Sequence, residues 1–105
     1  MYPVSCIKAE YREVINIDPK DTRGYTNLGI AFEEMGRYEE AEKEYKKALM
    51  INPNDASAHG NLGILYKKQG KVKEAKNEIL KAKELFANQG RFDEVRRCDE
   101  VLKDL

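Results

Sequence analysis

Few side chains in this sequence are of the types that perform catalysis or hold a metal at the spacing these tasks require. His59 is the only histidine, and no serine, cysteine or paired carboxylate stands where it would form a recognisable catalytic group with it. Cys6 and Cys98 lie far apart, without a neighbouring Cys or His at the spacing of a zinc site. We therefore predict that the chain is not an enzyme and uses neither a metal nor another cofactor.

Two asparagines have a spacing that could serve binding. Asn27 lies in TNLGIAF and Asn61 in GNLGILY, so the same short cluster recurs further along the chain. A side-chain amide offers one acceptor oxygen and two N–H donors, and two such amides could satisfy the backbone of an extended peptide without reading its sequence. The alternative is that each amide bonds only to a neighbouring loop or to water.

Composition limits the classes of partner. The chain has 105 residues, enough for one domain, and its 19 basic and 19 acidic side chains cancel. Without a positive field, general binding to nucleic acid is not expected. No stretch approaches the roughly 18 apolar residues of a membrane span, and the N-terminus lacks the apolar run of a signal peptide. We expect a cytoplasmic protein that binds neither nucleic acid nor membrane.

The elements that would position the asparagines recur along the chain at the same spacing as Asn27 and Asn61. In the first copy, one apolar stripe at helical spacing ends at Gly36, which suits a left-handed helix cap. A second stripe follows, and Pro53 closes the unit before Asp55, which is placed to cap the next helix. The two stripes consist of Tyr25, Leu28, Gly29 and Phe32, and of Tyr38, Ala41, Tyr45, Ala48 and Leu49. The pattern predicts helix, turn, helix, with small residues such as Gly29 at close helix contacts.

This pattern resembles the tetratricopeptide repeat, a helix-turn-helix unit of 34 residues. The matching residues are Leu28, Gly29, Phe32, Gly36, Ala41, Tyr45, Ala48 and Pro53, followed by Leu62, Gly63, Tyr66, Gly70, Ala75 and Ala82. The second copy has Ile79 at the large aromatic position and Ala87 in place of the closing proline. The resemblance implies an all-α fold, a right-handed superhelical solenoid of antiparallel helix pairs.

We predict a single domain over residues 1–105. The register of the repeat divides it into four parts. Residues 3–21 read as a half repeat containing only the second helix, and residues 22–55 and 56–89 as full repeats. Because Ala87 is not a proline, the last helix of the second repeat is expected to run on towards Gly90. Residues 91–105 form an amphipathic C-terminal helix expected to cap the open end, and a truncated third repeat is its alternative.

The resemblance also implies a binding surface, because repeats of this family bind partners on a concave groove lined mainly by the first helix of each pair. The residues it selects are Arg23, Asn27, Ile30, Glu33 and Glu34, and then Ser57, Asn61, Ile64, Lys67 and Lys68. Family members that hold extended peptides use asparagines where Asn27 and Asn61 stand. Acidic residues in the first copy against lysines in the second favour a peptide of mixed charge.

Some family members clamp the acidic C-terminus of a heat-shock chaperone with lysines and a further asparagine. Thr26 and Ile30 occupy two of those positions here, so this clamp is not expected. The predicted function is a protein–protein interaction module, a scaffold or adaptor that binds a peptide or helix of a partner. One alternative is homo-oligomerisation through the apolar stripe of the N-terminal half repeat. An RNA-binding helical repeat is the remaining alternative.

Overall fold

The computed structural model describes residues 21–105, and within this range every regular element is an α-helix. The helices are α1 (Thr22–Glu34), α2 (Tyr38–Ile51), α3 (Ala56–Lys68), α4 (Val72–Asn88) and α5 (Phe92–Lys103). Contacts group the chain into two compact units, Met1–Pro53 and Asn54–Leu105. The predicted half repeat over residues 3–21, and with it the stripe proposed for self-association, lies outside the described residues apart from Asp21.

Each helix hairpin closes through a glycine in the left-handed region. Gly36, Gly70 and Gly90 have φ angles of 77°, 76° and 73°. This conformation strains any residue that carries a Cβ, which explains why glycine follows α1, α3 and α4. The predicted helix ends at Gly36 and Gly90 are confirmed.

Aspartates begin the first helix of each repeat. The side chain of Asp55 accepts a hydrogen bond of 3.1 Å from the backbone N–H of Ala58, and Asp21 accepts one of 2.9 Å from the N–H of Arg23. These bonds satisfy donors that the first turn of a helix leaves without a partner. The predicted cap at Asp55 is confirmed.

The first unit is held by a close approach of α1 and α2. A Cβ built on Gly29 would lie 2.5 Å from Cε1 of Tyr45, well inside van der Waals contact. Tyr45 is fully buried, as are Ala41 and Ala48 on the same stripe of α2. The prediction that Gly29 permits close helix contact is confirmed, and Gly63 repeats it in the second unit, where its Cβ would lie 2.6 Å from Cδ1 of Ile79.

The second unit adds α5 to the hairpin of α3 and α4. Its buried cluster consists of Ala56, Ile79, Ala82, Phe86 and Cys98. Val95, Val101 and Leu102 of α5 pack against this cluster, together with Ile64 and Leu85. Residues Phe92–Lys103 form an amphipathic helix, and the side chain of Phe92, its first residue, is 66% exposed.

The helix α4 is longer than its counterpart α2 in the first repeat. With Ala87 in place of a proline, the helix continues for 17 residues to Asn88. It is three residues longer than α2, which has 14, and Leu85 and Phe86 near its end pack with residues of α5. None of the helices described is both long and apolar enough to cross a membrane.

Candidate functional site

The second unit contains a partly open cavity of about 240 Å³, which we call the α3–α5 groove. Its lining comes from three helices. The residues are Ser57, Gly60, Asn61 and Ile64 of α3, Ile79 and Phe86 of α4, and Glu94, Arg97, Cys98 and Val101 of α5. The helices α3 and α5 thus form two walls, and α4 lies between them at the base.

Helical spacing explains why these residues meet. Ser57, Asn61 and Ile64 stand at i, i+4 and i+7 on α3, and therefore lie on one side of that helix. Ile79 and Phe86 have the i, i+7 relation on α4 and are 1% and 5% exposed. The base of the groove is apolar because these two side chains belong to the core of the unit.

The wall formed by α5 carries opposite charges. Nη1 of Arg97 lies 3.6 Å from Oε1 of Glu94, and both side chains line the groove. The lining as a whole has no excess charge, because its remaining residues are uncharged. Such a wall can offer both an acceptor and donors to a partner's backbone.

Two ion pairs position α5 against the rest of the unit. Nζ of Lys67 on α3 lies 3.4 Å from Oδ2 of Asp104, just past the end of α5. Nζ of Lys83 on α4 lies 2.6 Å from Oδ1 of Asp99. Both pairs are substantially exposed, so each fixes the geometry of the helix more than its stability.

Cys98 faces the groove as a buried thiol. Burial raises its pKa above the ordinary value, and the carboxylates of Asp99 and Glu94 act in the same direction, whereas Lys83 opposes them. The thiol is therefore protonated at neutral pH and a poor nucleophile. Within residues 21–105, no group of three His, Cys, Asp or Glu side chains is arranged to hold a metal ion.

Of the site residues predicted in the second copy, three line this groove. These are Ser57, Asn61 and Ile64. For the amide of Asn61 there is no hydrogen-bond partner within residues 21–105. Lys67 pairs with Asp104, and Lys68 is exposed at the end of α3 and is not among the lining residues.

The residues predicted in the first copy all lie on α1. Asn27, Ile30 and Glu34 are exposed along one side of the helix. Arg23 instead donates from Nε to both oxygens of Asp21, at 3.0 and 2.9 Å. This bond lowers the pKa of Asp21 to about 2. Glu33 accepts a hydrogen bond from a buried tyrosine, so two of the five side chains have bonding roles within the repeat.

His59 has a packing role in the structure. Its side chain is 11% exposed, and Nδ1 lies 2.7 Å from Oε2 of Glu78 on α4. Tyr25 holds the matching position in the first copy and is half-buried. The bond to Glu78 joins α3 to α4, so a structural role explains His59, the only histidine in the sequence.

Seven of the ten residues that line the groove are not among the site residues predicted from the sequence. They are Gly60 of α3, Ile79 and Phe86 of α4, and Glu94, Arg97, Cys98 and Val101 of α5. The amphipathic pattern of α5 predicts a helix that caps the open end of the repeats. A polar signal was nevertheless present, because Glu94 and Arg97 share one side of α5 with Cys98 and Val101.

Three sequence models of one family match the chain. Two are described as tetratricopeptide repeat and match residues 10–43 and 56–94, and one described as TPR repeat matches residues 31–70. Together they extend over both full repeats and into the preceding half repeat. No curated protein sequence matches the chain.

Solved structures share the arrangement of helices. The translocator chaperone SycD of Yersinia enterocolitica is 23% identical, with a TM-score of 0.79 over 90% of this chain and 66% of its own. PcrH of Pseudomonas aeruginosa is 20% identical, with a TM-score of 0.81 over 90% of this chain and 72% of its own. At these identities the likeness shows the fold alone.

A third solved structure has a higher identity. The TPR2B domain of yeast Sti1, solved in a complex with pHsp70, is 25% identical, with a TM-score of 0.84 over 92% of this chain and 77% of its own. The predicted all-α repeat fold is therefore confirmed. By its repeated sequence, its helix hairpins and these matches, the chain belongs to the tetratricopeptide repeat family.

Proposed function

We propose that this chain is a protein–protein interaction module, a scaffold or adaptor without catalytic activity, and that the α3–α5 groove binds a peptide or helix of a partner protein. Relatives in fold support the class of function. PcrH has been solved with the chaperone-binding region of PopD, SycD with a peptide of YopD, and the Sti1 domain with pHsp70.

The observation that carries the proposal is the amide of Asn61 beside an apolar base. Asn61 is half-buried on the groove wall, and its acceptor oxygen and two donors have no partner within the described range. Ile79 and Phe86 lie at the base of the same cavity. Binding sites typically combine an apolar surface with a few polar groups that fix orientation, and this groove has both.

The exposed side of α1 offers a second contact of the same kind. Asn27 holds the position of Asn61 in the first copy, and Ile30, at 37% exposure, holds that of Ile64. Glu33 and Lys67 contribute less, because each is already bonded within the chain. Within the second unit, a partner of mixed charge would contact the oppositely charged side chains of Glu94 and Arg97.

The test is selection of peptides on the full chain from a random library, followed by measurement of Kd by fluorescence anisotropy. Asn61→Ala is expected to weaken a selected peptide by roughly tenfold, because its backbone loses an amide partner. Tm should change little in this variant, because the amide of Asn61 has no hydrogen-bond partner within the described residues.

Asn77→Ala is the matched control, because Asn77 is an exposed asparagine of α4 that does not line the groove. It should bind like the wild type. The proposal fails if no peptide is selected. It also fails if Asn61→Ala lowers Tm strongly while affinity stays unchanged, since the amide would then have a structural role.

A further inference from the structure

Gly60 is a glycine that packing against the described residues does not require. It stands in the middle of α3, where glycine is unfavourable relative to alanine. Gly63 on the same helix is required, because a Cβ there would lie 2.6 Å from Cδ1 of Ile79. At Gly60, by contrast, the only heavy atom of the described residues within 4 Å of such a Cβ is Cβ of Ala82, at an ordinary contact distance of 3.8 Å.

The repeat itself does not demand glycine at this position either. The matching residue of the first copy is Thr26, which sits in α1 and donates from its hydroxyl to the carbonyl of Thr22 at 3.0 Å. A side chain is thus compatible with the helix hairpin. What distinguishes Gly60 is its place in the wall of the α3–α5 groove.

We propose that Gly60 is the specificity-determining residue of this groove, whose missing side chain makes room for a bulky, uncharged apolar side chain of a bound peptide. The inference rests on the proposed function and adds to it the chemistry of the occupant. Gly60 lines the groove and a Cβ there would meet only Ala82 of α4, so we infer that a larger side chain at this position would occupy groove space. Glycine keeps that space open and lets a partner's backbone approach α3 closely.

The lining of the groove fits this occupant. Ile79 and Phe86 provide an apolar base, which favours an aromatic or large aliphatic side chain. Glu94 and Arg97 balance each other on the opposite wall, so the lining has no excess charge to attract a lysine or a glutamate. Asn61 lies next to Gly60 in the chain and can bond to the backbone on either side of the inserted side chain.

The substitution Gly60→Ala separates binding from folding, because the two should change in opposite directions. Alanine is the better helix former and has room against Ala82, so Tm should rise by roughly 2–8 °C. The added methyl narrows the groove, so a peptide selected on the wild type should bind on the order of tenfold more weakly. Gly60→Leu should abolish measurable binding while the far-UV circular dichroism stays helical.

Two controls complete the experiment. Asn77→Ala raises helix propensity on an exposed side of α4, away from the groove, and should leave Kd unchanged. In the selected peptide, replacing the large apolar residue by alanine should weaken binding to the wild type more than it weakens binding to Gly60→Ala.

The outcomes distinguish the two proposals. If the wild type selects peptides and Gly60→Ala and Gly60→Leu bind them with unchanged affinity, the role of Gly60 is refuted while the proposed function stands. Selection of peptides whose essential residue is charged would refute the inferred occupant. If the wild type selects no peptide, both proposals fall.

Discussion

The hydroxyl of Tyr45 donates a hydrogen bond of 2.9 Å to Oε1 of Glu33. This bond joins α2 to the last turn of α1. At the matching positions of the second copy stand Ile79 and Lys67. Ile79 has no hydroxyl, and Lys67 instead pairs with Asp104 beyond α5. The two copies therefore fix the last turn of their first helix with different partners.

Removing this hydroxyl should destabilise the fold. Tyr45→Phe retains the buried ring but loses the bond to Glu33, so the free energy of unfolding should fall by about 1 kcal/mol. Urea denaturation followed by circular dichroism measures the change. Tyr38→Phe is the control, because within the described residues the hydroxyl of Tyr38 has no hydrogen-bond partner; a loss as large as that of Tyr45→Phe would contradict this assignment.

Alkaline pH should destabilise the chain through the same tyrosine. Burial raises the pKa of Tyr45 above its ordinary value of about 10, and the bond to Glu33 raises it further. Its phenol therefore stays protonated in the folded state at pH values where it ionises in the unfolded state. The stabilisation is complete below about pH 10 and is lost as the pH rises above that value.

This pH effect is measured as the difference between wild type and Tyr45→Phe. All other ionisable groups are present in both proteins, so the comparison removes their contribution. The wild type should lose more stability between about pH 9 and pH 11 than the variant does. Parallel loss in the two proteins would show that Tyr45 does not keep its proton.

The close helix contacts predict unequal costs for added methyl groups. Gly29→Ala would place Cβ 2.5 Å from the ring of Tyr45, which cannot move aside without breaking its bond to Glu33. The free energy of unfolding should fall by about 1–3 kcal/mol. Gly63→Ala meets the flexible end of Ile79 and should cost less, although the carbonyl oxygen of Ala75 would lie 3.2 Å away. Thermal melts of both variants would contradict the explanation if Gly29→Ala were as stable as the wild type.

Much of the fold was predictable because local chemistry and the repeat agree. Gly36 and Gly90 end helices, Asp55 begins one, and the absence of a proline at Ala87 lengthens α4. Each of these features depends on a few neighbouring residues. The exposure of Phe92 does not follow from the sequence pattern: this residue is the first of its helix, where an apolar side chain can project into solvent.

The candidate site was harder to predict, because its second wall comes from a helix distant in sequence. Asn61 and Ile64 follow from the repeat, but Glu94 and Arg97 face them only because α5 packs into the same buried cluster as α3 and α4. The pairing of Lys67 with Asp104 has the same origin. Sequence periodicity shows which residues share a side of each helix. Which of these sides face each other depends on how the helices pack.

The thiol of Cys98 reports on both the fold and the groove. Burial raises its pKa, so in a Cys6→Ser background the folded chain should react slowly with a thiol-specific disulfide reagent at pH 8. The control is Glu100→Cys in a Cys6→Ser, Cys98→Ser background, which has an exposed thiol on the same helix. This thiol should react roughly tenfold faster than Cys98. In urea the two thiols should react at similar rates.

Because Cys98 lines the α3–α5 groove, a selected peptide should slow its reaction further and leave that of the thiol at position 100 unchanged. Equal protection of both thiols would place the bound peptide elsewhere on the chain.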